Sequence, residues 1–141
     1  MTDCLFCKIV DGTIPSKKVY EDDNVFAFMD VSPLSKGHTL LVPKEHVANV
    51  LEMSSETAAN LFSVAPQIAN AIQRAFEPAG INLLNNNGAA ANQSVFHFHL
   101  HFIPRYDEND GYRPIWNTKE SEFTSDVLEQ FSAKIIGELN K

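Results

Sequence analysis

The sequence predicts an α+β protein with a single domain over residues 1–141, in which an antiparallel sheet of about five strands carries one long helix and a C-terminal helix. The chain has 141 residues, enough for one domain with a hydrophobic core and too few for two ordinary domains. Short apolar runs bounded by turn formers come before and after a single long segment with helical periodicity. This order of elements favours an antiparallel sheet with helices packed on one side.

Five short segments have the composition of strands. Each is rich in β-branched and apolar residues, and turn-forming residues such as those at 21–24 and the Ser32-Pro33 pair separate them. Pro43 and Pro104 come at the ends of the third and fifth segments, where a missing N–H is expected to stop a strand. The predicted strands are residues 17–20, 25–29, 38–42, 81–84 and 95–103.

Two segments have apolar residues at the three- and four-residue spacing of an amphipathic helix. The first covers residues 55–76, where Pro66 is expected to bend or interrupt the helix. The second covers residues 125–139. Its apolar face consists of Leu128, Phe131, Ile135 and Leu139. An irregular tail before this helix contains Trp116, for which a buried position in the core is the simpler expectation.

The formal net charge of -7 argues against non-specific binding to nucleic acid or to anionic membranes, because both require a basic surface. No apolar stretch approaches the roughly 20 residues that span a bilayer. Residues 1–8 also lack the basic start and apolar run of a signal peptide. We therefore expect a cytoplasmic protein without nucleic-acid or membrane partners. Disulfides are uncommon in that compartment, so the two cysteines need another explanation.

Three of the five histidines occupy alternate positions in the fifth predicted strand, namely His97, His99 and His101. Side chains on a strand alternate between faces, so the three imidazoles are expected to point one way, about 6.6 Å apart. The residues expected to point into the core, and so to fix the register, are Phe96, Phe98, Leu100 and Phe102. A solvent-facing strand, a metal-binding ladder and a site of chemistry all fit this pattern.

The sequence Gln-Ser-Val-Phe-His-Phe-His-Leu-His-Phe-Ile at 93–103 resembles the signature of the histidine triad (HIT) superfamily. The resemblance continues in the cysteine pair, in Asp-Val-Ser-Pro at 30–33, in His-Thr-Leu-Leu-Val-Pro-Lys-Glu-His at 38–46 and in Asn-Asn-Asn-Gly at 85–88. It covers about the first 106 residues and looks closest to the bacterial Hint-like branch. It implies a HIT-like fold and a homodimer, in which the C-terminal segment and Trp116 could reach the partner's active site.

In the HIT family the middle histidine attacks an α-phosphorus and forms a transient nucleotidyl-histidine, so the resemblance implies that His99 is the nucleophile. Imidazole suits this role because it is neutral and nucleophilic near pH 7 and leaves well once protonated. The resemblance also implies that His101 donates a proton to the phosphate and that Ser94 reaches the phosphate or the leaving amine. Backbone amides around Gln93 to Val95 and the amide of Asn86 are further candidate donors to the phosphate or the leaving group.

Asp30 corresponds to the family residue that binds the ribose hydroxyls, and a plain turn-forming Asp before Ser-Pro is the alternative. Val31 and Phe6 are candidates for contacts with the base. His38 begins a strand that is expected to lie beside the histidine strand. It therefore either joins the network around His99 or serves as a buried structural histidine.

Cys4-x-x-Cys7 predicts half of a zinc site, because a redox pair would need a βαβ context that this order of elements lacks. Two free cysteines are the alternative. In zinc-containing members of the family the other ligands are a histidine after the Pro-Lys segment and the first histidine of the triad, which implies His46 and His97. Such a Cys2His2 set would hold one structural Zn²⁺ per chain, because four protein ligands leave no position for water.

The resemblance therefore implies a hydrolase that cleaves nucleoside 5'-monophosphate conjugates, with phosphoramidates as the substrate class and purines favoured. A nucleotide-binding regulatory protein with little catalysis is the alternative, and metal storage is a third. Asn92 stands where family members often carry Gly, and it is expected to keep the loop shape because Asn tolerates positive φ. The alanines at 89–91 leave the preference for a leaving group open.

Overall fold

The computed structural model describes residues 3–139 and 141 and contains a five-stranded antiparallel sheet in the spatial order β1-β2-β3-β5-β4. The strands are β1 (Lys18–Glu21), β2 (Val25–Met29), β3 (Thr39–Pro43), β4 (Gly80–Leu84) and β5 (Leu100–Arg105). The predicted α+β class and the antiparallel sheet are confirmed. The helices are α1 (Leu5–Val10), α2 (Ser55–Phe76) and α3 (Ser125–Leu139), and short 3-10 turns lie at Val50–Glu52 and Ala89–Ala91.

Successive residues of a strand point to opposite sides of the sheet, and each face of this sheet carries its own hydrophobic core. The core under α2 contains Val25, Ala27, Leu41, Leu61, Val64, Ala65, Ile68, Ile72, Phe98, Leu100 and Phe102. The core under α1 contains Phe6, Ile9, Phe26, Phe28, Leu40 and Val42. The expectation that helices pack on one side only is wrong, since α1 was not recognised in the sequence. Burial on both faces explains the unbroken apolar runs of β2 and β3.

The helix α2 runs through Pro66 as one continuous element, so the expected interruption does not occur. An internal proline costs about 3 kcal/mol because it removes a backbone hydrogen bond and crowds the preceding turn. The helix also buries a full apolar stripe against the sheet, including Leu61 and Ile68. Burial of each large apolar side chain contributes about 1.5–3 kcal/mol, so the stripe outweighs the cost of the proline.

The histidine segment, residues 95–105, joins the sheet over a different range from the predicted strand at 95–103. The strand β5 begins at Leu100 rather than at residue 95, and it continues through Pro104 to Arg105. Before Leu100 the chain is held by other contacts, such as the amide of Phe98, which donates to the carbonyl of Val47 at 2.7 Å. Phe96 is 49% exposed, so its predicted place in the core is wrong. The strand tolerates Pro104 because the ladder with β3 ends at Phe102.

The C-terminal helix α3 forms where predicted, but none of its described residues is buried in the single chain. Its apolar residues Leu128, Phe131, Ile135 and Leu139 are all exposed. Trp116 is 86% exposed, so the expectation of a core tryptophan is wrong for the isolated chain. Among the described residues, none of the helices is both long and apolar enough to cross a membrane.

Candidate active site and metal site

A cavity of about 370 Å³ opens on the α1 side of the sheet, where the end of β2 meets the histidine segment. One wall is apolar and comes from α1, β2 and β3. The apolar wall includes Phe6, Ile9, Phe28 and Leu40. The polar groups at the cavity are Asp30, Ser94, His99 and His101. The structure therefore brings together the residues that the sequence assigned to the nucleophile, the phosphate and the ribose.

His99 is held as a neutral imidazole with one nitrogen free. Its Nδ1 lies 2.8 Å from the carbonyl oxygen of His97, and Nδ1 must be the donor because a carbonyl oxygen can only accept. The ring is packed edge-on against Phe6, with ring centroids 5.0 Å apart. Burial lowers the pKa of His99 below the usual value of an imidazole. In the neutral ring Nε2 then carries the lone pair that a nucleophile needs.

His101 has the opposite tautomer to His99, with its proton on Nε2, and His38 sets it. The backbone amide of Leu34 donates to Nδ1 of His38 at 3.0 Å, so neutral His38 carries its proton on Nε2. That Nε2 lies 2.9 Å from Nδ1 of His101 and donates to it. In neutral His101 the remaining proton is on Nε2. His38 is buried and hydrogen-bonded to His101, so its burial and its place in this network occur together.

Asp30 makes the local turn that the sequence offered as one alternative, and it also lies at the cavity, where the other alternative, ribose binding, would require it. Its Oδ1 accepts the amide of Ser32 at 2.8 Å in a local turn. Its Oδ2 lies 3.5 Å from Nε2 of His38, and the residue also lines the cavity. One carboxylate oxygen thus shapes the turn, and the residue remains available at the cavity for a hydroxyl. Val31 lines the same cavity and is exposed, as a residue in contact with a ligand's base would be.

Asp30, His38 and His101 also place three metal-ligand atoms within 4.8 Å of one another. The hydrogen bonds argue against a metal there. The amide of Leu34 occupies the lone pair of Nδ1 of His38, so Nε2 of a neutral ring carries a proton and offers no lone pair to a cation. We therefore describe this group as a hydrogen-bond relay.

The other predicted contact residues lie in the loop before the histidine segment, and they differ in how accessible they are from the cavity. Ser94 is exposed and lines the cavity. Gln93 is buried, its amide donates to the carbonyl of Gly88, and its side chain bonds to Gly88, Ala48 and Val95. Gln93 therefore shapes the loop and offers no free donor. Asn86 is half-buried and donates to the carbonyl of Asn92 at 3.3 Å.

Asn92 adopts φ 70° and ψ 25° in the left-handed region, so Asn keeps the turn shape as expected. A further residue, Asn85, was missed by sequence reasoning. Its side-chain amide donates to the carbonyl of His99 at 3.0 Å, next to the end of the β4–β5 ladder at Leu84. The sequence does not show which asparagine of the run reaches the backbone of His99, because that depends on the pairing of β4 with β5.

Cys4, Cys7, His46 and His97 form a compact cluster whose ligand atoms lie within 4.8 Å of one another. Nδ1 of His97 is 3.3 Å from Sγ of Cys4 and 3.5 Å from Sγ of Cys7. The two imidazole Nδ1 atoms are 3.3 Å apart. Zinc–sulfur bonds of about 2.3 Å and zinc–nitrogen bonds of about 2.0 Å give tetrahedral edges of about 3.5 Å and 3.3 Å. The four side chains therefore fit a tetrahedral zinc ion.

The surroundings of the cluster also suit a metal. Nε2 of His97 donates to the carbonyl of Pro43 at 2.8 Å, so Nδ1 presents its lone pair to the cluster, as metal-bound histidines require. Burial lowers the pKa of His97 to about 4. Burial, together with the hydrogen bond that the Cys7 thiol donates to Cys4, raises the pKa of Cys7 to about 11. A nearby cation would offset the charge of the thiolate and favour its formation.

A family model for the HIT domain matches residues 11–108. The chain therefore belongs to the HIT family. A crystal structure of a HIT family protein from Bacillus anthracis superposes with a TM-score of 0.94, at 51% identity over 96% of each chain.

Two further relatives bear on the two sites. The adenosine 5'-monophosphoramidase hnt1 of Schizosaccharomyces pombe is 42% identical over 94% of this chain and 98% of its own length. A zinc-bound histidine triad family protein from Mycobacterium smegmatis is 33% identical, with a TM-score of 0.73 over 97% of this chain and 98% of its own. Nucleotide hydrolysis is thus an activity found in the family, and zinc binding occurs in it.

We predict that the free energy of unfolding decreases in mild acid, because the folded protein holds the pKa of an imidazole below its usual value. Burial, followed by the neighbouring His99 and His38, lowers the pKa of His101 to about 4. An unfolded imidazole titrates near 6.5, so the unfolded chain binds a proton first as the pH falls. The free energy of unfolding should therefore decrease from about pH 6.5 to pH 4, by at most about 1.4 kcal/mol per pH unit for this one group.

Urea unfolding at several pH values, with zinc in excess, measures this slope in the wild type and in His101→Gln. The variant should show the shallower decline. Equal slopes in the two proteins would contradict the assignment to His101.

Proposed function

We propose that this protein hydrolyses nucleoside 5'-monophosphate conjugates, with phosphoramidates as the substrate class, through a nucleotidyl intermediate on His99. The observation that carries the proposal is the hydrogen bond from Nδ1 of His99 to the carbonyl of His97. That bond leaves an unprotonated Nε2 on a residue that lines the same cavity as Asp30 and His101. The phosphoramidase named among the relatives supports the same reaction class.

The first chemical step forms a bond between Nε2 of His99 and the α-phosphorus, and the bond from phosphorus to the leaving amine breaks. The departing amine takes a proton from water or from the hydroxyl of Ser94. His101 donates its Nε2–H to a phosphate oxygen, where negative charge increases in the transition state. In the second step water attacks the phosphorus and the bond to Nε2 breaks, which restores neutral His99. The proton that the attacking water loses replaces the one taken from Ser94 or from water in the first step.

The cavity supports binding of the nucleoside through shape and neutral contacts. Its apolar wall, which includes Phe6 and Leu40, offers a flat surface for a base, and purines would cover more of it. Asp30 provides acceptor oxygen for the ribose diol. Among the described residues that line the cavity there is no lysine or arginine. Imidazole and hydroxyl donors therefore hold the phosphate in a protein whose net charge is -7.

Removal of the nucleophile should separate binding from turnover. In His99→Ala, hydrolysis of an adenosine 5'-phosphoramidate should fall by at least about 1000-fold, because covalent catalysis is lost. Binding of AMP, measured by calorimetry, should persist because the apolar wall and Asp30 are intact. Asn70→Ala is the control variant, because it removes an exposed side chain of α2, on the face of the sheet opposite to the cavity.

Asn70→Ala should keep full activity. Undiminished turnover in His99→Ala would contradict the mechanism. Binding of AMP by a wild type that turns over no substrate would instead favour a regulatory nucleotide-binding protein.

We further propose that Cys4, Cys7, His46 and His97 hold one structural Zn²⁺ per chain. The tetrahedral edges and the bond from His97 to Pro43 support it. The ion would supply charge compensation for the two thiolates and a crosslink between α1 and the histidine segment. Reduced cysteines also suit the cytoplasmic location that we propose for the protein.

Metal analysis of purified protein should give about one zinc per chain in the wild type and almost none in Cys4→Ser, because three ligands bind a structural zinc far more weakly than four. The melting temperature should fall in the same variant. His101→Asn is the matched control, since this histidine lies outside the cluster and should keep its zinc. Equal, near-zero zinc in the wild type and in Cys4→Ser would contradict the site.

We also propose that the protein is a homodimer in which α3 packs against the second copy. An isolated helix of 15 residues is marginal in water without tertiary packing. In this chain the exposed face of α3, with Leu128, Phe131 and Ile135, has no buried residue against its own domain among the described positions. Burial by a partner would stabilise the helix.

A charge on this face should therefore weaken the dimer. Phe131→Asp should halve the mass measured by light scattering at micromolar concentration, because an ionised carboxylate is costly to bury. Gln130→Asp adds the same charge on the polar side of the same helix and should remain dimeric. A wild type with the mass of one chain, or equal masses for the two variants, would contradict the proposal.

A further inference from the structure

A chain of hydrogen bonds leads from the segment behind β5 into the catalytic cavity. The amide of Gly111 donates to the carbonyl of Leu34 at 2.7 Å. The amide of Leu34 donates to Nδ1 of His38 at 3.0 Å, and Nε2 of His38 lies 2.9 Å from Nδ1 of His101. Gly111 lies beyond the residues 11–108 matched by the HIT domain model.

The close approach of Gly111 to Leu34 requires that residue 111 has no side chain. A Cβ atom placed on Gly111 would lie 2.9 Å from the carbonyl oxygen and 3.3 Å from the Cα of Leu34. Both atoms belong to the backbone, so they cannot rotate away as a flexible side chain can. The φ of Gly111 lies outside the left-handed region. An alanine at position 111 would therefore clash with the backbone of Leu34, although its own φ would be allowed.

The segment that carries Gly111 is anchored to the sheet by Asp110. Oδ2 of Asp110 accepts the amide of Tyr106 at 2.8 Å and Nε of Arg105 at 3.2 Å. These bonds, led by the one from Tyr106, hold the pKa of Asp110 below its usual value. Arg105 also donates to Asn82 of β4 at 2.7 Å. The position from which Gly111 reaches Leu34 is therefore fixed by β4 and β5.

We propose that Gly111 is a positioning residue for His101, because it fixes Leu34 in the place where the Leu34 amide selects the tautomer of His38 and, through it, that of His101. The inference rests on the proposed function, in which the Nε2–H of His101 faces the substrate phosphate. If Leu34 is displaced, His38 can carry its proton on Nδ1 instead. His101 then donates its Nδ1–H to His38 and turns a lone pair towards the phosphate, which repels it.

This role differs from simple support of the loop. If Gly111 only supports the packing of the loop, its substitution should lower stability and leave the proton positions of the histidines unchanged. If Gly111 positions His101, its substitution should change the tautomer of His101 in the folded protein, even with no substrate present. The proton positions therefore separate the two roles.

The experiment compares wild type, Gly111→Ala and Gly137→Ala as ¹⁵N-labelled, zinc-loaded proteins at pH 7.5. Long-range ¹H–¹⁵N spectra report which nitrogen of His38 and of His101 carries the proton. Gly137→Ala is the matched control, because a Cβ there meets nothing within 4 Å and the residue lies in α3. In Gly111→Ala a population of His101 protonated on Nδ1 should appear, while the control keeps the wild-type spectrum.

Hydrolysis of an adenosine 5'-phosphoramidate gives the second readout. Loss of a donor aimed at developing charge costs on the order of 100-fold in kcat, so the loss follows the population of the wrong tautomer and reaches about 10-fold when roughly nine-tenths of His101 is protonated on Nδ1. Asp110→Ala loosens the same segment without adding volume, and it replaces Gly111→Ala if that variant does not fold. The same change of tautomer is expected in it.

Unchanged tautomers of His38 and His101 in the folded Gly111→Ala variant, or in Asp110→Ala where it is used instead, would overturn the inference, whatever the activity. The same spectral change in Gly137→Ala would overturn it as well. If the wild type hydrolyses no phosphoramidate, the proposed function fails. The tautomers measured without substrate then still decide whether Gly111 positions His101.

Discussion

The hydrogen bond from Nδ1 of His99 to the carbonyl of His97 connects the two groups of side chains on which this protein depends. His97 uses both ring nitrogens and its carbonyl at once: Nδ1 faces the cysteines, Nε2 donates to Pro43, and the carbonyl receives His99. The residue that completes the Cys4, Cys7 and His46 cluster therefore also selects the tautomer of the proposed nucleophile. His97 thus links the two sites.

The opposite tautomers of His99 and His101 follow from what each Nδ1 meets. Nδ1 of His99 meets a carbonyl, which can only accept, whereas Nδ1 of His101 meets the N–H of His38. One ring consequently presents a lone pair and the other presents a donor. Burial disfavours the charged form of both rings. A ring with a free lone pair and a ring with a free donor can thus coexist in neutral form at one cavity, in a chain with a surplus of acidic residues.

Much of the fold could be predicted, because short apolar runs between turn formers and a long amphipathic stripe are local signals. The strand β2 and the helices α2 and α3 have the predicted bounds. The misses have two causes. The six-residue α1 is too short to show a period. Residues 95–99 resemble a strand, although no strand among the described residues pairs with them. Whether an extended segment joins a sheet depends on its neighbour, which the local sequence does not contain.

The candidate sites divide in the same way. The alternation of His97, His99 and His101 determined which side chains could share a face, since spacing along an extended chain fixes the facing of side chains. The Cys4-x-x-Cys7 spacing determined that two thiols could meet, here at the start of α1. Only the tertiary structure decided that Gln93 serves the loop, that Asn85 reaches the backbone of His99, and that Leu34 controls His38. Those roles depend on hydrogen bonds between residues distant in the sequence or on the path of a loop. The direction of such bonds is set by packing, which no local pattern records.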